Sequence, residues 1–291
     1  MQTVVTGASG FVGRHAVAAL LRHGPVTALV QPGHTAPELA GCDVVEADLL
    51  QPGLRLPADT GAVLHLAAQA NPQRAGQDPQ AALQANVAAT LNVLEACPTG
   101  ARFALASTAH VYAPSPEPLG EDARVEPTSW YAATKLMAET VLRQRSATRG
   151  LRWTVVRIFN LYGPRQSPDY VVGSIVAQAA AGEVPQVRDP RPVRDFTYVV
   201  DAADLLARAL REPRAAGQTY NLASGQGHSV AEIVATACSL AGLEPPAPTA
   251  GRKPEDVVRA DPAKAARELG WKATTSLHDG IAACLKAARR T

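Results

Sequence analysis

Tyr131 and Lys135 are the residues whose types and spacing point most directly to chemistry. They lie four positions apart in the alanine-rich run 131–146, which contains no Gly or Pro and predicts a helix. Positions i and i+4 share one face of a helix, so the phenol and the ammonium can enter the same site. A free tyrosine has a pKa of about 10, and a fixed cation nearby favours the phenolate. The pair predicts an acid/base tyrosine whose pKa the lysine lowers; the alternative is an ordinary helix with a surface lysine.

Two hydroxyl side chains, Ser107 and Thr108, follow the segment 101–106, which predicts a buried strand. Ligands of open α/β sheets bind at the carboxyl ends of the strands. We therefore predict that Thr108 is catalytic and donates a hydrogen bond to the substrate oxygen on which Tyr131 acts. Side chains alternate along a strand, so that of Ser107 should point away from Thr108. Its place at the strand end still makes Ser107 a candidate for substrate contact.

A glycine-rich turn near the amino end predicts a dinucleotide site. The strand-like segment 3–6 leads into this turn, and an amphipathic segment, 14–22, follows it. A helix that begins at such a turn offers free N–H groups and the positive end of its dipole to a pyrophosphate. The spacing is G-x-x-G-x-x-G rather than G-x-G-x-x-G. The predicted cofactor contacts in this turn are Gly7, Ser9, Gly10, Phe11, Val12 and Gly13.

The choice between NAD and NADP stays open. An NAD site usually has Asp or Glu after the second strand, but the strand predicted over 26–30 is followed by Gln31 and neither an acid nor an arginine. Gln31 or His34 could approach a 2′-phosphate or could be solvated loop residues. Asp48 could meet an adenine amino group or could cap a turn. The other predicted cofactor contacts are Leu49, Leu66, Ala67, Ala68, and Asn86 in a helix expected over 79–97.

Composition excludes several other classes of protein. The chain has 291 residues, and no apolar run approaches the ~20 residues of a membrane span. A net charge of only +2 gives no indication of a nucleic-acid partner. The four cysteines are scattered without metal-ligand spacing, so we expect no metal and reduced thiols. The chain opens on a strand-like segment without a leader pattern, which favours a cytoplasmic location. His65, inside the apolar run 63–68, is expected to be a packed strand residue.

Taken in order, the motifs resemble the extended short-chain dehydrogenase/reductase family. The likeness is to its NAD(P)-dependent epimerase/dehydratase branch, which acts on nucleotide sugars, and it extends over nearly the whole chain. The motifs that carry it are Gly7–Gly13, His65–Ala68, Ser107–Tyr112, Tyr131-x-x-x-Lys135, Arg157–Arg165, Arg194–Phe196 and Glu268–Trp271.

The resemblance implies roles for particular residues. Tyr131 would be the acid/base, Lys135 its partner and a ribose ligand, and Thr108 the hydroxyl that binds the reacting oxygen. Further ligands of the nucleoside-diphosphate sugar would be Asn160, Val172, Arg194, Lys253 and Asp256, and Phe159 would contact the cofactor. For Arg194 the alternative is a surface salt bridge to a carboxylate. Relatives also suggest a homodimer formed by helices around 83–96 and 131–146.

Departures from the family pattern bear on the reaction. The 4,6-dehydratases carry Asp-Glu after the catalytic threonine, whereas this chain has Ala109-His110, so a dehydratase is disfavoured. The resemblance then favours a nucleotide-sugar 4-epimerase. The alternative is a 4-keto-6-deoxyhexose reductase, which the stretch 169–172 resembles. A regulator that binds NAD(P) without catalysis is less favoured, because Tyr131, Lys135 and Thr108 are all present.

The expected fold is α/β: a doubly wound (Rossmann) parallel sheet with a smaller C-terminal substrate-binding lobe. We expect the dinucleotide-binding domain over 1–162, with 195–223 returning to it. The substrate lobe is expected over 163–194 and 224–291, including the terminal helices. Within the returning segment, 196–200 and 220–222 are predicted to be strands of the main sheet.

Overall fold

The computed structural model describes residues 2–34, 39–51, 53–247 and 256–289. The predicted substrate residue Lys253 lies outside these residues. The strands are β1 (Gln2–Thr6), β2 (Val26–Val30), β3 (Asp43–Glu46), β4 (Thr60–His65), β5 (Arg102–Thr108), β6 (Arg152–Ile158), β7 (Asn160–Tyr162), β8 (Val193–Tyr198), β9 (Gln218–Leu222), β10 (Gly227–Ser229) and β11 (Val257–Val258).

Helices alternate with these strands. They are α1 (Phe11–Leu21), α2 (Pro72–Gln77), α3 (Pro79–Leu83), α4 (Ala89–Ala96), α5 (Trp130–Arg149), α6 (Val171–Ala180), α7 (Val199–Arg211), α8 (Val230–Ala241), α9 (Ala263–Leu269) and α10 (Leu277–Ala288). A π-helical turn, Gln84–Ala88, joins α3 to α4. Short 3₁₀ turns cover Ala109–Val111 and Pro213–Ala215.

Within the described residues, seven strands form one parallel sheet in the order β3-β2-β1-β4-β5-β6-β9. Helices α1 and α7 cover one face, and α4 and α5 cover the other. Because both faces are covered, β1 and β2 are buried along their whole length. The prediction of a doubly wound sheet is confirmed. The strand order reverses between β1 and β4, and such a switch point is where open α/β sheets bind ligands.

The strand expected at 196–200 joins a different sheet. Strand β8 pairs with β7 and β11 in parallel and with β10 in antiparallel fashion, apart from the main sheet. The edge position beside β6 is taken by β9 instead, which confirms the strand predicted at 220–222. A short apolar run predicts a strand but not its partner, and tertiary packing decides which sheet it joins. Assigning 196–200 to the main sheet was therefore wrong.

The C-terminal helices divide between the two halves of the molecule. Helices α6, α8 and α10 pack around Ile175, Ile233 and Ile281 and form the core of a smaller lobe. Helix α9 packs instead against α7 and β9, where Leu269 and Trp271 join the core of the main sheet. The Trp271 indole donates to the Asp201 carbonyl at 3.0 Å. Assigning every terminal helix to the lobe was thus wrong for α9.

Among the described helices, none combines the length and the apolar character that crossing a bilayer requires.

Gly13 is required by the contact between α1 and the turn before it. A Cβ atom built on Gly13 would lie 2.1 Å from the Gly7 carbonyl oxygen and 2.7 Å from Ala8 Cα. Both are backbone atoms that cannot rotate away, so Gly13→Ala should destabilise the fold by about 1–3 kcal/mol or more. Gly76→Ala, in helix α2 with nothing within 4 Å, is the matched control and should stabilise by ~0.4–1 kcal/mol. Urea unfolding tests both, and a Gly13→Ala protein as stable as the parent would contradict the packing.

Candidate active site

The first turn of helix α5 brings Tyr131 to the carboxyl end of β5. The helix begins after Ser129, whose Oγ accepts the Ala132 N–H at 3.2 Å and caps its N-terminus. The Thr108 hydroxyl lies close enough to that of Tyr131 for its hydrogen bonding to lower the pKa of the phenol. Both residues are buried, with 8% and 3% of their surface exposed. The structure thus joins two of the three residues predicted to be catalytic in one hydroxyl pair.

Burial sets the protonation of Tyr131. It raises the pKa of the phenol to about 12, while the hydrogen bond from Thr108 acts in the opposite direction and the nearby Tyr170 raises the pKa further. That Lys135 lowers the pKa of Tyr131 stays a prediction. The desolvation of a phenolate outweighs the charges around it, and the tyrosine is held as a neutral phenol.

Lys135 lies one turn further along the same face of α5, with 5% of its surface exposed. Burial lowers the pKa of its ammonium to about 8, and the negative charge of Glu139, another turn along, limits the fall. Lys135 is therefore close to its own titration point at neutral pH.

Glu139 is fully buried and connects α5 to two strands of the sheet. Its carboxylate accepts hydrogen bonds from Ser107 Oγ at 2.5 Å, from Arg157 at 2.9 and 3.1 Å, and from Arg143 at 2.9 Å. Burial alone would raise the pKa of Glu139, but Arg157, Ser107 and Arg143 together lower it below its ordinary value. Ser107 therefore belongs to the hydrogen-bond network of Glu139, on the side of β5 away from Thr108. Its side chain is not available for the predicted substrate contact.

His65 is a structural residue, as the sequence predicts. It is 1% exposed, and burial together with the charge of Lys135 lowers its pKa to about 3. Nδ1 lies 2.7 Å from Thr6 Oγ1 and Nε2 lies 3.0 Å from Thr90 Oγ1. Thr90 donates to the Asn86 carbonyl and Thr6 accepts the Ala67 N–H. Both ring nitrogens are therefore in use, with the proton on Nε2.

Asn86 joins the loop after β4 to helix α5. Its Oδ1 accepts the Gln69 N–H at 2.7 Å, and its Nδ2 donates to Thr134 Oγ1 at 2.9 Å and to the Gln69 carbonyl at 3.3 Å. The π-helical turn that contains Asn86 interrupts the α-helix at this point, as such turns often do at functional sites. The amide is fully used within the protein, so Asn86 positions α5 beside the sheet. A direct cofactor contact by Asn86 stays a prediction.

The turn after β1 has the features that a pyrophosphate needs. Gly7 has φ +65°, and a Cβ there would lie 2.8 Å from the Ala67 nitrogen, so only glycine fits between the two turns. Gly10 precedes α1 without any side-chain cap, which leaves the first N–H groups of the helix available. This cradle fits a dinucleotide. The predicted contacts from Ser9, Phe11 and Val12 lie in the same turn and stay predictions.

The other predicted cofactor residues lie at the ends of neighbouring strands. Gln31 is exposed after β2, and Leu66, Ala67 and Ala68 follow β4 next to Gly7. Asp48 Oδ1 accepts the Leu50 N–H at 2.9 Å, so the turn-capping alternative is observed.

The side chains of two further predicted cofactor residues pack against apolar clusters of the protein. Leu49 packs at the edge of the core beneath α4 and α5. Phe159 packs in an apolar cluster with its ring 6.4 Å from that of Tyr112.

Arg194 and Asp256, both predicted to bind substrate, bind each other. The guanidinium donates to Asp256 Oδ2 at 2.6 Å and to the Asp256 carbonyl at 3.0 Å. The salt-bridge alternative for Arg194 is therefore observed, and any bond to phosphate would use its remaining N–H groups. The side-chain amide of Asn160, the first residue of β7, donates a long hydrogen bond of 3.4 Å to the Asp195 carbonyl.

Val172 is 2% exposed and its side chain packs in the core of the lobe. A contact between substrate and this residue stays a prediction. Its neighbour Tyr170 is 40% exposed and close enough to affect the pKa of Tyr131 electrostatically. Tyr170 and His110 were missed from the sequence. Contacts and electrostatic interactions connect Thr108, His110, Tyr131, Tyr170 and Arg194, and we call the group that they form the reaction cleft.

These features define a dinucleotide-binding α/β fold. The parallel sheet has a glycine cradle at its switch point, and the Tyr131/Thr108 pair lies beside it. The chain belongs to the NAD dependent epimerase/dehydratase family, whose model matches residues 3–223.

Characterised relatives cover nearly the whole chain. It is 31% identical to UDP-glucose 4-epimerase of Bacillus subtilis (strain 168), over 96% of this chain and 94% of that protein. It is 33% identical to GDP-6-deoxy-D-mannose reductase of Pseudomonas aeruginosa, over 97% of this chain and 95% of that protein. A solved structure of UDP-glucuronic acid 4-epimerase from Bacillus cereus, in complex with UDP-glucuronic acid and NAD, has a TM-score of 0.88 and 27% identity, covering 100% of this chain and 99% of that one.

The raised pKa of Tyr131 predicts a specific loss of stability in alkali. Below pH ~10 the folded and unfolded states both keep the phenol proton. Between pH ~10 and about 12 the unfolded chain releases the proton while the folded chain holds it, so this contribution to stability falls as pH rises. Tyr131→Phe should remove that part of the pH dependence, measured by urea unfolding near pH 9 and pH 11. A tyrosinate difference spectrum between the two proteins by pH ~9 would contradict the account.

Proposed function

We propose that the protein is a nucleotide-sugar 4-epimerase that uses NAD or NADP and acts on a nucleoside-diphosphate hexose. The observation that carries the proposal is the Tyr131–Thr108 hydroxyl pair beside the glycine cradle of a chain in the epimerase/dehydratase family. The 31% identical UDP-glucose 4-epimerase supports the reaction and a nucleotide-sugar substrate.

The cofactor would be held by the cradle from Gly7 to Gly13, with Lys135 as a ribose ligand. When bound, it supplies the capacity to take up a hydride from the sugar C4 and to return it. An epimerase must hold the substrate in place during each hydride transfer. Between the two transfers it must let the keto sugar rotate, so that the hydride returns to the opposite face of C4. Burial of the Tyr131 region excludes water that could otherwise compete for the oxidised sugar.

Tyr131 and Thr108 would handle the O4 proton. In the direction of oxidation, the phenol of Tyr131 must first lose its own proton, and the phenolate Oη then accepts the proton of the sugar hydroxyl; in the direction of reduction, the neutral phenol donates its proton to the ketone oxygen. Thr108 donates a hydrogen bond to the same oxygen, which stabilises the charge that develops there. The ammonium of Lys135 favours the phenolate during the step, because an opposite charge stabilises the ionised form.

A 4-ketoreductase is the second candidate. It is favoured by the 33% identity to a GDP-6-deoxy-D-mannose reductase, and it would use the same residues on a deoxysugar. The two reactions differ in whether the cofactor is regenerated in one turnover or consumed. Denaturing the purified protein and identifying any released nucleotide, followed by an assay of UDP-glucose and UDP-galactose interconversion, separates them. Stoichiometric NAD and interconversion support the epimerase. A protein that binds NADPH and reduces a 4-keto sugar without interconverting the hexoses overturns it.

The smaller lobe would hold the nucleotide of the substrate. We assign it residues 163–194 and 224–291, with α9 attached to the dinucleotide-binding body of 1–162 and 195–223. Arg194, with Asp256 as its partner, would bind the diphosphate, because a charge-assisted bond from arginine suits phosphate. Asn160 would contribute from β7.

A cytoplasmic homodimer is the proposed assembly. Leu83, Leu91 and Met137 are 38%, 37% and 41% exposed on α3, α4 and α5, and α4 packs against α5. These apolar side chains on adjacent helices suit an isologous helical interface. Sedimentation at micromolar concentration tests it, and a monomer would contradict it.

Thr108→Val tests the catalytic hydroxyl. The change keeps the shape of the side chain and removes the donor, so turnover should fall about a hundred- to a thousandfold, as for other preorganised donors. Ser107→Ala is the matched control, because Ser107 bonds to Glu139 on the other side of the strand. It should lower stability with little effect on turnover. Steady-state kinetics on both variants checks this, and the reverse pattern would make Ser107 the catalytic hydroxyl.

A further inference from the structure

Helix α5 carries two buried, opposite charges on the face that presents Tyr131. Lys135 and Glu139 follow Tyr131 at intervals of four residues, and residues so spaced share one face of a helix. Lys135 is 5% exposed and Glu139 is 0% exposed. Water and salt screen buried charges much less than surface charges. The charge of Glu139 therefore acts on Lys135 more strongly than it would on the surface of the protein.

The partners of Glu139 hold it in the ionised form. Its carboxylate accepts hydrogen bonds from Ser107 on β5, from Arg157 on β6 and from Arg143 on its own helix. These three groups lower the pKa of Glu139, so it keeps its negative charge throughout the pH range in which Lys135 titrates. The Arg157 side chain is 6% exposed, whereas that of Arg143 is 34% exposed and meets water.

Two further titratable groups border Lys135, and both are uncharged at neutral pH. His65 on β4 has a pKa of about 3, which burial and the charge of Lys135 together bring about. Tyr131, one turn earlier on α5, is a neutral phenol. The negative charge that offsets the burial of the Lys135 ammonium comes from Glu139. Without that charge, burial would favour the neutral amine still more.

We propose that Glu139 is a positioning residue that keeps Lys135 in its ammonium form and so sets the upper pH limit of the reaction. The inference rests on the proposed function, in which the ammonium of Lys135 favours the phenolate of Tyr131. A neutral amine has no charge with which to do so. In this role Glu139 acts through Lys135 and not on the sugar.

Substitutions in the network should move the titration of Lys135 in opposite directions. Glu139→Gln keeps the size of the side chain and removes its charge, which also leaves the positive charges of Arg157 and Arg143 unbalanced. A nearby opposite charge typically changes a pKa by about one to three units, so the pKa of Lys135 should fall from about 8 by about one unit or more. Arg143→Gln removes a positive charge instead and should raise the pKa of Lys135.

The charge of Lys135 can be measured without turnover. The chain contains five lysines, so ¹³C at their ε carbons gives a simple NMR spectrum, and the Lys135 resonance is the one absent from Lys135→Met. Its chemical shift is followed against pH in the purified full-length protein. The wild-type midpoint should lie near pH 8, that of Glu139→Gln about one unit or more lower, and that of Arg143→Gln higher.

Ser107→Ala is the matched control. It removes a hydrogen bond from the Glu139 carboxylate without changing its charge, so the midpoint of Lys135 should stay at the wild-type value. A general loosening of α5 would move the midpoint in this variant as well. Arg143→Gln keeps the test decisive should Glu139→Gln fail to fold, because the Arg143 side chain is partly exposed. An unchanged midpoint in Arg143→Gln, or in folded Glu139→Gln, overturns the proposal.

The pH dependence of kcat/KM for the conversion of UDP-glucose to UDP-galactose supplies the second readout. Its alkaline limb should move with the Lys135 midpoint in each variant, and one pH unit above that midpoint kcat/KM should be about tenfold below its plateau. A midpoint that moves while the alkaline limb stays in place also overturns the proposal. A wild-type protein that does not interconvert the hexoses contradicts the epimerase alone, and the NMR titration then still decides whether Glu139 controls the charge of Lys135.

Discussion

The buried carboxylate of Glu139 is the interaction on which the geometry of the site depends. It receives Ser107 from β5, Arg157 from β6 and Arg143 from its own helix, and so fixes α5 against the sheet. Removing one member of such a buried pair typically costs about 3–5 kcal/mol, because the remaining charge is left uncompensated. Two helical turns before Glu139, on the same face, the helix presents Tyr131 to the end of β5. The position of Tyr131, the proposed acid/base group, is thus set by a buried charge two helical turns away.

The burial that fixes this geometry also sets the protonation of the site. It raises the pKa of Tyr131 to about 12 and lowers that of Lys135 to about 8, so each group favours its uncharged form more than it would in water. A neutral phenol beside the Thr108 hydroxyl can give a proton to a ketone. Taking a proton from a hydroxyl is harder, and it depends on charges that arrive with the ligands.

Local sequence patterns predict the parts of the fold that depend on neighbours in the chain. The glycine turn, the buried parallel strands and the Tyr/Lys helix follow from spacing and composition. The partner of β8, the packing of α9 and the burial of Val172 do not, because long-range packing decides them. The bond between Glu139 and Arg157 joins residues 18 positions apart on different elements. The raised pKa of Tyr131 was missed for a similar reason, since the spacing of Lys135 carries no information about desolvation.

The central claim is that a hydride leaves the sugar C4 and returns to it without exchange with solvent, while Tyr131 accepts and returns the proton of O4. UDP-glucose carrying deuterium at C4 tests it most directly, with the UDP-galactose formed in ordinary water analysed by NMR. The account predicts that the deuterium stays at C4 of the product in full and that Tyr131→Phe abolishes the conversion. Loss of the label to solvent, or conversion by Tyr131→Phe at the wild-type rate, would contradict it.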